Sequence, residues 1–262
     1  MEIIKQEQLI RTVSRVGNGA HIFAPKEWIN EQVLIIRIAK KTIKEKILEK
    51  IYPHLDKIIA VILYGSQARG EANENSDIDV LIISKEKFQI EKEIGIDIIV
   101  LTENEIQTAI KRNPILMYSA IKEGKPTINE NYIEKLKQIK IDFKDFKDFI
   151  AQTEKSINSD LEITELDKKT GKYSSDSVIY SLFLRLRGVF IINCFLDEKE
   201  FSNASFEEWL KEVKIPYKKI NQAYRQVREE KYGKDTEIPI AQTEKLINFL
   251  EEELNKLKRR IK

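Results

Sequence analysis

One stretch, Leu63 to Val80 (LYGSQARGEANENSDIDV), limits what this chain can fold into more than any other. An apolar run, Ile58 to Leu63, ends at Gly65-Ser66. A polar segment follows, and two aspartates, Asp77 and Asp79, stand one residue apart at the mouth of a second apolar run, Val80 to Ile83. Short apolar runs bounded by turn residues predict buried strands. Gly-Ser at the end of the first predicts a sharp turn into a helix, where backbone N–H groups, a hydroxyl and the helix dipole favour a phosphate. On an extended chain Asp77 and Asp79 face the same side. Carboxylates placed side by side repel each other, and a hard divalent cation such as Mg²⁺ relieves that repulsion. A third apolar run, Ile96 to Leu101, carries Asp97 at its start and can add a third carboxylate from a neighbouring strand. Alone, Gly-Ser is a common turn and Asp-x-Asp a common loop-end cap. Together, with ten residues between Ser66 and Asp77 and a later strand-borne aspartate, they form a set suited to a triphosphate and two metal ions.

The flanking segments predict three parts: residues 1–40, 41–138 and 139–262. In the first, Arg11 to Val16 and Ala20 to Ala24 are strand-like runs joined by Gly17-Asn18-Gly19, a hairpin signal. Pro25 opens a helical turn, and Val33 to Ile38 predicts a further strand. Forty residues can hardly build a core alone, so pairing with a second copy is expected. In the second part, Ile43, Ile47, Leu48 and Ile51 share one face of a helix over Lys41 to Leu55, limited by Pro53. Phe88 to Glu93 can form a short strand. Glu103 to Arg112 and Ile115 to Glu123 predict helices, the first stopped before Pro114 and the second closed by Gly124. From about Ile141 strand signals vanish. Phe143, Phe146, Ile150, Ile157 and Leu161 can share a face, and Lys168 to Ser174 is a polar break. Ser175 to Leu196 is apolar almost all round, as the central helix of a bundle would be. Ser205 and Glu208 suggest a capping box, Tyr217 to Glu230 is amphipathic, and Pro239 starts a last helix with Leu246, Leu250, Leu254, Leu257 and Ile261 on one stripe. The third part is thus an all-α domain of four or five helices.

Charge narrows the partners only slightly. Charged residues are 34% of the chain, yet the signs nearly cancel at +2, which gives no strong pull toward nucleic acid or membrane. No secretory leader is visible and no apolar run reaches eighteen residues without charges, so a cytoplasmic protein with no membrane span is expected. The one cysteine, Cys194, lies in an apolar run and is expected in the core.

The segment GSQARGEANENSDIDV resembles the nucleotidyltransferase motif of the DNA polymerase β-like superfamily, a Gly-Ser pair followed by Asp-x-Asp, and is most similar to the minimal nucleotidyltransferase group. The resemblance implies that Gly65 and Ser66 bind phosphate, with Arg69 and Gly70 in the turn beside them. It implies that Asp77 and Asp79 are metal-binding carboxylates, and that Asp97 is the third carboxylate, which helps activate the acceptor hydroxyl. The implied reaction moves a nucleoside monophosphate from a nucleoside triphosphate, such as ATP, to a hydroxyl, with a two-metal Mg²⁺ site and release of pyrophosphate. The first forty residues resemble the SpoVT/AbrB swapped-hairpin family. This implies a homodimer and possible DNA contact through residues 1–40, with Arg11 and Arg15 as first candidates. The run LRLRGVFIINCFL resembles the helical domains of HEPN and kanamycin nucleotidyltransferase-type proteins. HEPN ribonucleases place a histidine shortly after an arginine. None follows Arg187 here, and both histidines, His21 and His54, lie outside that domain. Arg185 and Arg187 are left with two readings: ion pairs with an acidic helix, or contact with nucleotide or acceptor. The expected fold is α+β and multidomain: a small β-rich swapped-hairpin-like N-terminus, a polymerase β-like α/β core and a C-terminal all-α bundle. The alternative function is a DNA-binding dimeric regulator or antitoxin-like protein that uses the core for nucleotide sensing or protein AMPylation.

Overall fold

The computed structural model describes residues 9–36, 41–73, 76–214, 217–228 and 237–261. The chain divides into two compact units, Met1–Lys41 and Thr42–Lys262. In the first, β1 (Ser14–Val16) and β2 (Gly19–His21) pair antiparallel. Gly17 adopts φ +54°, as the tight turn requires. A 3-10 turn, Lys26–Trp28, follows Pro25. Both strands are shorter than the sequence predicts. The strand expected over Val33 to Ile38 does not form over 33–36, and 37–38 lie outside the described residues. Among the described residues, 33–36 pair with no strand, and β-branched composition alone does not make one.

The second unit opens with α1 (Ile43–Ile51), started by a capping box between Thr42 and Glu45. Pro53 falls in the 3-10 turn that ends it, Tyr52–Lys57. Then come β3 (Ile58–Tyr64), α2 (Gly65–Arg69), β4 (Ile78–Ser84), β5 (Ile96–Thr102), α3 (Ile106–Arg112), α4 (Pro114–Glu123), β6 (Lys125–Ile128) and α5 (Glu130–Lys137). The sheet order is β5-β4-β3-β6, with β4 and β5 parallel and the other pairs antiparallel. The expected strand over Phe88 to Glu93 is absent apart from one bridge between Glu93 and Ile96. The segment turns back at Gly95, φ +84°, too soon for a ladder. Strand β6 and helix α5 have no counterpart in the sequence reading.

Alternation along the strands sorts side chains to two faces. Val61, Ile78, Val80 and Ile82 pack with Ile47 and Ile51 of α1. Ala60, Ile62, Leu81 and Ile83 face the other way, onto Ile106 and Ile110 of α3 and Met117, Ala120 and Ile121 of α4. That second core runs on without a break into the C-terminal helices.

Five helices form the C-terminal region among the described residues: α6 (Lys147–Thr170), α7 (Asp176–Leu196), α8 (Asn203–Leu210), α9 (Tyr217–Arg228) and α10 (Ile240–Arg260). Helix α7 is the hub, with Leu182, Leu186, Val189 and Ile192 fully buried and Cys194 in the core. It has the length and apolarity of a membrane span, but 61% of its most apolar window is buried inside the protein, and it carries Arg185 and Arg187. Gly188 lets α6 approach closely: a Cβ there would lie 2.3 Å from the Phe149 ring. Two details differ from expectation. Leu161 is exposed, because the α6 stripe drifts off the buried face after Ile157. The capping box before Trp209 uses Ser202 and Ser205, not Ser205 and Glu208, so the helix starts earlier and Ser205 is its third residue. Residues 229–230, expected to continue α9, lie outside the described set.

Candidate active site

The stretch from Leu63 to Val80 folds as strand, turn and strand. Leu63 pairs with Val80 and Tyr64 with Asp79 across β3 and β4. At the end of β3 the chain enters α2 through Gly65 at φ +71°. Glycine is required there twice over. Its φ suits few side chains, and a Cβ would lie 2.0 Å from Asp79 Oδ2. The Asp79 carboxylate therefore rests directly on the backbone of the turn. Ser66 follows in the first turn of α2. That helix has only five residues, so its dipole adds less than a full helix would. Gly70 closes it in the left-handed region at φ +74°.

The parallel register of β4 and β5 sets Asp79 beside Asp97. Residues opposite one another on adjacent strands share a face. Both carboxylates, with Asp77 two residues before Asp79, thus project on the face that carries Leu81 and Ile83, toward the helices. Asp79 is half-buried between Tyr64 and Asp97, whereas Asp97 is exposed. Burial raises the Asp79 pKa to about 6, helped by the charges of Asp97 and Asp77 and opposed by Arg228 and Arg69. Burial, then the charges of Asp79 and Asp97, also push the Tyr64 phenol up. A shallow cleft of about 290 Å³ opens beside Asp77 and Asp97, walled by Ile90, Glu91 and Lys92.

Three mutually repelling carboxylates on one face have the hard-oxygen chemistry that suits Mg²⁺. Among the described residues, however, no three acidic, His or Cys side chains are gathered closely enough to ligate one ion. At Asp77, Oδ2 accepts a hydrogen bond from Nη2 of Arg228 on α9, 3.1 Å away. The donor set fits the metal by its chemistry, and Asp77 is paired with Arg228.

Arg69 is turned away from the carboxylates. Its Nε donates to Glu71 Oε2 at 2.8 Å, its Nη1 lies 3.6 Å from Glu123 Oε2, and its guanidinium sits over the Phe201 ring. Glu71 in turn accepts from the backbone N–H of Asn203 at 2.7 Å and from its side-chain amide at 3.0 Å. The turn is thereby tied to the start of α8. Arg187 also stands over the Phe201 ring, 5.1 Å from its centroid, with its Nε buried and without a hydrogen-bond partner among the described residues. Arg185 lies over Phe149; burial lowers its pKa and the Asp160 carboxylate opposes that in part. Neither arginine forms an ion pair with an acidic helix among the described residues. In the first unit, Arg11 and Arg15 are exposed, and Arg15 Nε donates to Gly17 O at 3.3 Å.

Sequence reasoning brought Gly65, Ser66, Asp77, Asp79 and Asp97 to one end of the sheet. It missed Glu71, Asn203 and Arg228. No local pattern could have marked Arg228, which is 151 residues from its partner.

Comparison with known proteins bears on this region. The nucleotidyltransferase domain family matches residues 40–170, half of the 262-residue chain. A Methanocaldococcus jannaschii protein named as a candidate protein adenylyltransferase is 38% identical over 77 residues, 29% of this chain and 77% of that one. Solved structures align more loosely. Spectinomycin adenyltransferase from Enterococcus faecialis, crystallised with ATP and spectinomycin, is 17% identical over 80% of this chain and 97% of its own, at a TM-score of 0.44. A nucleotidyltransferase-like protein from Exiguobacterium sibiricum is 11% identical over 82% of this chain and 75% of its own, at a TM-score of 0.36. The family match spans the strand, the Gly-Ser turn and all three aspartates, and on that ground the chain belongs to the nucleotidyltransferase domain family.

Proposed function

We propose that this nucleotidyltransferase moves a nucleoside monophosphate from a nucleoside triphosphate to a hydroxyl acceptor, with Mg²⁺ dependence and release of pyrophosphate. One observation carries the reading: Asp79 and Asp97 are register partners on parallel strands, and Gly65 packs against Asp79. A phosphate-binding turn and a carboxylate pair thus meet at one point. The backbone at Gly65 and the Ser66 hydroxyl receive the donor phosphates. Asp77, Asp79 and Asp97 would hold the metal ions, which when bound neutralise phosphate charge and acidify the acceptor hydroxyl. Asp97, the exposed carboxylate beside the open cleft, takes the acceptor proton. The acceptor oxygen forms its bond to the α-phosphorus, and the bond from that phosphorus to the bridging oxygen of pyrophosphate breaks.

The name of the Methanocaldococcus relative supports an adenylyl group as the one transferred and a protein as the first acceptor to test. The test is incubation with labelled nucleoside triphosphates, Mg²⁺ and candidate acceptors. Label should pass to an acceptor in the wild type. Full transfer by the Asp77→Ala/Asp79→Ala variant would overturn the assignment.

Residues 1–40 serve as a homodimerisation hairpin in this reading. The support is exposed apolar surface: Ile10 is 81% exposed, Phe23 72% and Leu34 86%, far more than a lone folded unit leaves open. Light scattering should give twice the chain mass for the full protein and the single mass once residues 1–40 are removed. A monomeric full-length protein would refute this.

A further inference from the structure

An ion pair between Arg228 and Asp77 ties a carboxylate of the proposed metal set to the helical region. We infer that Arg228 is a positioning residue that stands in for the metal beside Asp77, and that it releases this carboxylate and turns to the donor phosphates when metal and nucleotide load. The inference rests on the nucleotidyl-transfer reading.

Three observations carry it. First, the position is that of a cation. Arg228 Nη2 lies 3.1 Å from Asp77 Oδ2, and its charge acts on Asp79 as well. A positive group acting on two of the three carboxylates offsets repulsion that a divalent ion could also relieve. Second, the pair is breakable. The two side chains are 55% and 43% exposed, and an ion pair so open to water contributes at most about 1 kcal/mol. A divalent ion can displace it. Third, the arm is anchored while its tip is exposed, held by Asp77 and by a hydrogen bond with Tyr224 one turn back on the same helix. Arg228 is the last described residue of α9, whose Ile220 and Ala223 are buried and whose Tyr224 stacks on Tyr180 at 5.3 Å. A long side chain on an anchored helix can exchange a carboxylate for a phosphate without moving the helix. The guanidinium suits both partners, since its planar donors match carboxylate and phosphate oxygens alike.

The structure thus links two events. Binding of the metal frees Arg228, and the freed Arg228 favours a polyphosphate, so each ligand should raise the affinity of the other.

The test is Mn²⁺ titration of the full-length, nucleotide-free protein, followed by electron paramagnetic resonance. Arg228→Gln should bind Mn²⁺ about two- to fivefold more tightly than wild type, as loss of a competing exposed ion pair implies. Arg228→Lys should fall between them. In the Asp77→Asn background the same substitution should give no gain. With Mn²⁺ present, Arg228→Gln should bind a non-hydrolysable nucleoside triphosphate more weakly than wild type. Unchanged or weaker Mn²⁺ binding by Arg228→Gln would overturn the inference, as would a gain that persists without Asp77. If wild type binds both Mn²⁺ and nucleotide, such a result leaves the proposed function standing. If wild type binds neither, the proposed function falls and takes the inference with it.

Discussion

The carboxylate at the centre of the site should cost the fold stability, and replacing it should show how much. Asp79 is half-buried between Asp97 and Tyr64, and its pKa stands at about 6 against an ordinary 3.8. In the folded protein it keeps its proton to about pH 6, while in the unfolded chain it loses it near pH 4. Between those values the folded state holds the extra proton, so stability falls as pH rises through that window and stays lower above it. Two units at about 1.4 kcal/mol each give roughly 3 kcal/mol. Solvent reaches part of the carboxylate, which reduces this to about 1–2 kcal/mol. Asp79→Asn keeps the shape and removes the charge. It should melt close to wild type at pH 4 and higher at pH 7.5. For a unit of this size the gap is about 2–6 °C. Thermal melts in EDTA-containing buffers from pH 4 to pH 8 measure it, and the variant should have lost nucleotidyl transfer. A variant that melts no higher than wild type at pH 7.5, or by the same margin at every pH, would refute the electrostatic reasoning.

Other substitutions test the packing around the site. Gly65→Ala puts a methyl 2.0 Å from Asp79 Oδ2 on a backbone at φ +71°; it should cost about 1–3 kcal/mol in urea melts and abolish transfer. Glu71→Ala strips the Asn203 N–H and the Arg69 guanidinium of a partner; a loss of about 1–3 kcal/mol by chemical denaturation is expected. Gly188→Ala drives a methyl to 2.3 Å from the Phe149 ring; overpacking of about 1–3 kcal/mol should appear as a lower Tm. Leu186→Ala empties a fully buried position in α7 and should cost about 2–5 kcal/mol in the same melts.

What the residues disclosed on their own was governed by distance along the chain. Strands β3, β4 and β5 were legible because β-branched runs end abruptly at Gly, Ser or Asp. Helix α7 was legible because twenty-one residues of nearly unbroken apolarity have few other uses. Strand β6 was not, since Lys125-Pro126-Thr127-Ile128 carries a proline and only an edge position tolerates it. Helix α5 was hidden by its start: Asn129 adopts φ +58° to cap it, which reads locally as a turn. Of the site, the Gly-Ser turn and the three aspartates lie within thirty-odd residues and follow a strand period. Arg69 reads as a nucleotide-binding candidate, and nothing local marks Glu71 as the partner that ties it toward α8. The registration of Asp79 with Asp97 depends on parallel pairing, which periodicity alone does not specify.

The bond between Glu71 and Asn203 joins residues 132 positions apart. A ribosome releases the first long before the second. When the sheet and its aspartates emerge, the turn that carries Gly65 and Ser66 still lacks its tether, and it gains one only after α6 and α7 have been made. Contacts so distant in sequence are closed late and slowly. The nascent enzyme should therefore stay catalytically silent until its last third is synthesised, and a chain released before α8 should carry every aspartate of the site and still be inert.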